Sequence, residues 1–143
     1  MSYVQVWIHA VWGTKNRYPF MNHESKEVIC SFISSYSKEK EIYIDCINGH
    51  RDHMHCLFGL NADMSLSKHM QFLKGGSAFW INNKSNLFTE DFGWADDYFA
   101  SSVSKRNLNR VRNYIRNEEA HHAKISFNDE YDSFLKRFGL FQG

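Results

Sequence analysis

The sequence holds one proline, Pro19, and three cysteines, Cys30, Cys46 and Cys56, in 143 residues. A chain this poor in proline is neither a Pro-rich linker nor a disordered tether. The cysteines are odd in number and form no Cys-x-x-Cys pair, which argues for buried thiols in a reducing cytosol and against a disulfide frame. No apolar run approaches the roughly 20 residues of a membrane-spanning helix. The opening residues Met1-Ser2-Tyr3-Val4-Gln5 lack the basic and then apolar stretches of a secretory signal, so a cytoplasmic protein is expected. Net charge is scarce as well: +1 is too little for the whole chain to grip a polyanion.

What is present is core material. Hydrophobic residues at 43% and aromatics at 16% suit a single globular domain over residues 1–143, with no repeat or linker to divide it. Charge is local. Six basic residues between Lys105 and Lys124 oppose Glu118 and Glu119, a local net of +4, whereas residues 84–104 carry −3. Such a basic segment suits a polyanion site and equally a solvated helix face.

Periodicity predicts strands at 3–14, 41–48, 52–60 and 98–103. It predicts helices at 25–41, 65–82 and 105–123, with Ser104 as the N-cap of the third, and a last amphipathic stretch through Phe127, Tyr131, Phe134 and Phe138. Gly49-His50-Arg51 is expected to turn the second strand into the third, and Gly75-Gly76 to weaken the second helix. A hairpin in the middle and helices between the other strands give a split β-α-β, α+β fold: an antiparallel sheet with helices packed on it.

Two clusters can carry chemistry. In His53-Met54-His55 the imidazoles fall two apart on a strand and so share a face, close enough to hold one metal ion, with Met54 turned into the core. His-x-His alone also fits two structural histidines. His50 could add a third ligand from the turn, whereas Asp52 is expected to point away from the pair. Tyr114 and Glu118 are four apart on the third helix, presenting a phenol and a carboxylate together, with His121 and His122 one turn on. Each also has a structural reading: an amphipathic tyrosine, a solvated carboxylate, and partners of a helix C-terminal dipole.

Taken together these pieces resemble a known family. The motifs Trp12-Gly13-Thr14-Lys15-Asn16-Arg17, Asp52-His53-Met54-His55, Phe72-Leu73-Lys74-Gly75 and Tyr114-Ile115-Arg116-Asn117-x-Glu119-x-His121-His122 look like those of the single-tyrosine transposases of the IS200/IS605 group and the related REP-associated tyrosine transposases. The resemblance runs over nearly the whole chain and in the same order.

It implies a DNA transposase of the HUH type that cleaves and rejoins single-stranded DNA at hairpin-bearing ends through a covalent 5′-phosphotyrosine. Tyr114 would be the nucleophile. His53, His55 and Glu118 would hold Mg²⁺ or Mn²⁺, Glu118 standing where the family usually has Gln, and Arg51 standing where it often has Pro. A homodimer is implied too, to which the doubly apolar first strand adds a reason. Lys15, Arg17, Lys68, Lys74, Arg106, Arg110 and Arg112 are the candidate DNA contacts. Two other readings stand beside it: a domesticated protein that binds hairpin DNA or RNA without cutting, and a small metal hydrolase using His50, His53 and His55.

Overall fold

A computed structural model describes residues 2–118, 120 and 126–138. Glu119, His121, His122 and Lys124, and the expected end of the third helix, lie outside the described residues. Among those described, β1 (Trp7–Gly13), β2 (Tyr43–His50), β3 (His53–Gly59) and β4 (Phe99–Val103) form one antiparallel sheet in the order β2-β3-β1-β4. The helices are α1 (His23–Glu39), α2 (Leu66–Met70), α3 (Ser77–Asn83), α4 (Leu108–Arg116) and α5 (Phe127–Arg137). The expected α+β architecture is the one found.

The strands carry their two-residue period into two cores. Met54, Cys56 and Phe58 of β3 join Ile8, Ala10 and Trp12 of β1 beneath Ile29 and Ile33 of α1, Met70 of α2 and the linking residue Leu73. The alternate residues face the other way. Leu57 packs on Leu108 and Ile115 of α4, and Val11 packs with Phe99 on Phe127 and Phe134 of α5. His53 and His55 lie on this second face and are fully buried.

Several boundaries differ from expectation, each for a local reason. β1 starts at Trp7 rather than residue 3, because its partners end there: Trp7 pairs with Gly59 on one side and Val103 on the other. Tyr3, Val4 and Val6 are exposed. α1 begins two residues early because Asn22 caps it. The Asn22 side chain accepts from the Ser25 N–H, and the Ser25 hydroxyl accepts from the Asn22 N–H.

The β2–β3 turn is Arg51-Asp52, since Gly49 and His50 stay in the ladder opposite Met54 and His53. Gly49 is needed for close approach: a Cβ there would meet the Met54 Cα at 3.3 Å. A register shift between Ile44 and Cys46 leaves Asp45 as an extra residue in β2. Between α2 and α3, residues Gln71–Gly76 wind as a π-helical turn, which is where the glycine pair was expected to weaken the helix. Ser104 precedes a short 3₁₀ turn, Lys105–Asn107, without a side-chain cap bond. α4 ends at Arg116, where Asn48 Nδ2 donates to the carbonyls of Ile115 (2.9 Å) and Arg116 (3.3 Å).

Candidate metal and nucleophile centre

β3 is an inner strand, hydrogen-bonded to β1 and β2, so the backbone ladder fixes the positions of His53 and His55. Their Nε2 atoms meet two buried carboxylates. His53 Nε2 lies 3.0 Å and His55 Nε2 2.8 Å from Glu118 Oε1. Glu130 Oε1 lies 3.1 Å from His55 Nε2 and 3.8 Å from His53 Nε2. Nitrogen and oxygen thus alternate around a small ring, and the four ligand atoms fall within 4.8 Å of one another.

The donor set fits a divalent cation. Imidazole nitrogens and carboxylate oxygens suit Mg²⁺ or Mn²⁺. Adjacent ligands around an ion bound at about 2.1 Å stand about 3 Å apart, the spacing that three of the four edges show. Two carboxylates this close and this buried repel each other unless positive charge lies between them.

The surrounding groups orient the ligands. Asp52 Oδ1 accepts from His53 Nδ1 at 2.9 Å, directing Nε2 toward the carboxylates. Asp52 therefore does not point away as expected: it belongs to the turn, where strand alternation does not apply. Behind His55, His9 Nε2 sits 3.0 Å from His55 Nδ1 with the two rings stacked. Burial, and then the neighbouring His55, push the His9 pKa down to about 3, so this ring is neutral. Burial opposes charge on His55 as well, but its bonds to Glu118 and Glu130 outweigh burial and raise its pKa. Phe127 covers His53 in a parallel stack at 4.1 Å.

Tyr114 stands beside the ring, and its hydroxyl donates to Glu130 Oε2 in a short hydrogen bond. Burial first, and Glu130 second, push the phenol pKa well above its ordinary value. Tyr114 and Glu118 both come to the ring, as expected, although α4 ends at Arg116 between them, and the Glu118 charge adds to the rise in the phenol pKa. The single carboxylate of Glu130 thus faces both the histidine pair and the phenol.

His50 stays outside the four-residue group, its ring centroid 6.4 Å from that of His53. The set His50, His53 and His55 is therefore not the one that converges. The residues not foreseen are Glu130, His9 and Asp52. Glu130 had a signal: it falls three after Phe127 and four before Phe134, on the apolar stripe of α5, where a solvated glutamate does not belong.

The basic candidates divide. Lys15, Arg106 and Arg110 are exposed, as is Lys68, whose ammonium lies over the Phe72 ring. Arg17 lies over the rings of Phe127 and Tyr131 and bonds Asn128 of α5. Arg112 makes two 2.8 Å bonds to Asp45, the extra residue of β2. The Lys74 ammonium donates to the carbonyls of Ala95, Asp96 and Asp97 at 2.7 to 3.2 Å. Arg112 and Lys74 are thereby committed to holding the fold. No described helix is long and apolar enough to cross a membrane.

Comparison with known proteins agrees with this architecture. A Deinococcus radiodurans R1 protein described as a transposase superposes with a TM-score of 0.63 at 20% identity, covering 82% of this chain and 95% of its own. A REP-associated tyrosine transposase bound to a REP hairpin superposes at 0.64 and 14% identity, covering 87% and 73%. At these identities the likeness concerns the fold. No curated protein matches. The family model described as "Transposase IS200 like" matches residues 2–118, more than half of the chain. On that match the chain belongs to the IS200-like transposase family.

Proposed function

We propose that the protein cleaves and rejoins single-stranded DNA carrying hairpins, with Tyr114 as nucleophile and His53, His55, Glu118 and Glu130 as the ligands of one divalent cation. The observation that carries this is the position of Glu130, with one oxygen among the histidines and the other on the Tyr114 hydroxyl. Tyr114 attacks phosphorus, its phenolic proton passing to Glu130. The new bond joins the tyrosine oxygen to the 5′ phosphate, and the bond to the 3′ oxygen breaks, that oxygen taking up the proton Glu130 received and leaving as a 3′ hydroxyl. The phosphotyrosine conserves the diester energy, so attack by a 3′ hydroxyl reverses the step and reseals a strand. Bound Mg²⁺ or Mn²⁺ supplies Lewis acidity toward a non-bridging phosphate oxygen.

Since Glu130 lies beyond residues 2–118 yet joins the group, the whole chain works as one catalytic domain, with α5 included. The exposed Lys15, Lys68, Arg106 and Arg110 contact phosphates. The protein works in the cytoplasm as a homodimer; the dimer is supported by β4, an edge strand among the described residues, and by the exposed Tyr3, Val4 and Val6. Sedimentation as a strict monomer at micromolar concentration would remove the dimer from this reading.

The decisive experiment incubates the protein with a single-stranded hairpin oligonucleotide and Mg²⁺ or Mn²⁺. A denaturation-resistant protein–DNA adduct, absent in Tyr114→Phe, is expected. Binding without adduct would indicate a domesticated binding protein. A free 5′ phosphate without adduct would indicate a hydrolase.

A further inference from the structure

Tyr114 and Glu118 stand on either side of a helix end, and that end is held from the neighbouring strand. The bonds from Asn48 Nδ2 fall on the carbonyls of Ile115 and Arg116, the two residues that follow Tyr114. In a continuous helix those carbonyls would accept from backbone N–H groups four residues on. A side chain inserted into this ladder ends or kinks a helix. Asn117 accordingly leaves helical geometry, with φ −97° and ψ 20°, one residue before Glu118.

Asn48 is itself placed by the sheet. It pairs with His55 in the β2–β3 ladder, so its amide stands on the same face as that imidazole. A second bond of the same kind lies one turn back along α4. In a regular strand Asp45 would face away from Asn48. As the extra residue of β2 it instead reaches Arg112, and the bidentate bond ties the middle of α4 to the same strand. The rest of the seat is apolar: Leu108 and Ile115 on Leu57. Apolar contact is non-directional, whereas a metal ligand must be held to within about 0.5 Å. The directional bonds to β2 supply what the apolar seat lacks.

We infer that Asn48 is a positioning residue for the reaction: by fixing the end of α4 beside His55, it places the Glu118 carboxylate on the histidine pair. This rests on the proposed function and adds to it a residue outside the ligand set. It also gives the strand next to the metal-binding strand a part in the site.

The test compares Mn²⁺ affinity, by calorimetric titration, in the wild type, Asn48→Leu, Glu118→Ala and the double variant. Leucine keeps the volume of Asn48 and removes the donor. Asn48→Ser, too short to reach both carbonyls, takes its place should the leucine variant not fold. Asn82→Leu is the control, losing two 2.8 Å bonds to the backbone of Phe92 on the opposite side of the sheet. Asn48→Leu is expected to lower affinity about tenfold, to add nothing in the Glu118→Ala background, and Asn82→Leu to leave affinity unchanged. Wild-type affinity in Asn48→Leu, or a tenfold loss that persists in the Glu118→Ala background, would overturn the inference. A second readout needs no metal. The ¹⁵N shifts of the His53 and His55 rings report their bonds to Glu118 and should move in Asn48→Leu but not in Asn82→Leu. Unchanged histidine spectra in Asn48→Leu would likewise overturn the inference. A wild type that binds no Mn²⁺ would sink the metal reading, and the metal-free spectra would still decide the role of Asn48.

Discussion

The two faces of the sheet are made by the same strands and have opposite contents. Toward α1, α2 and α3, β3 sends Met54, Cys56 and Phe58 into a dry core. Toward α4 and α5 it sends His53, His55 and Leu57, and two imidazoles on that side meet two carboxylates and a phenol. Stability is concentrated on the first face and chemistry on the second. The separation depends on register alone, since a slip of one residue in β3 would exchange the faces.

Breaking the chemical face should leave the apolar one standing. Tyr114→Phe removes one oxygen and is expected to abolish the adduct on a denaturing gel while thermal unfolding changes little. His55→Ala and Glu130→Ala attack the ring directly. Calorimetric titration with Mn²⁺ should show affinity lower by at least tenfold in each, and retained affinity in Glu130→Ala would remove Glu130 from the ligand set.

Breaking the apolar face should do the reverse. Met54→Ala empties a fully buried site and should cost about 3 kcal/mol in denaturant unfolding. Saturating Mn²⁺, at about 100 times its Kd, should still restore about 2.7 kcal/mol, as in the wild type, if the two faces are independent. A smaller increment would mean that the sheet transmits packing defects to the ring.

The smallest effect concerns the thiols of the apolar side. Burial pushes the Cys30 pKa up to about 12, so its thiolate fraction at pH 8 is on the order of 10⁻⁴. Alkylation of the native protein should be slow at Cys30 and Cys56 and become fast only on unfolding. The native state keeps the Cys30 proton where the unfolded chain releases it. The stabilisation from this group is therefore complete below pH 9 and is lost as pH rises toward about 12.

Local pattern made much of this legible. Alternation in β3 put both histidines on one face and Met54 in the core, and the order of strands and helices gave the sheet with its helical layers. What was not legible depends on pairing between distant elements. His9 could be assigned to a face of β1, but its place behind His55 follows from the β1–β3 register, which pairs Val11 with His55. Glu130 stands 12 residues after Glu118, with α5 folded back across the sheet, and no spacing rule joins them. Asp52 was misread because alternation was extended into a turn.

The π-helical turn between α2 and α3 bears on how the gene can change. It acts as a one-residue insertion absorbed inside a helix, so the residues after it keep the rotational phase of an uninterrupted helix. In that phase Ser77 Oγ accepts from Trp94 Nε1 at 2.9 Å and Ile81 reaches the core. Gly75 touches nothing that a side chain would disturb, so exchanging it for alanine should be tolerated. Deleting it would rewind the turn to an ordinary α-helix and leave α3 in the same phase, with Ser77 and Ile81 still on their partners. At this position the chain should tolerate a change in the number of residues as readily as a change in their identity.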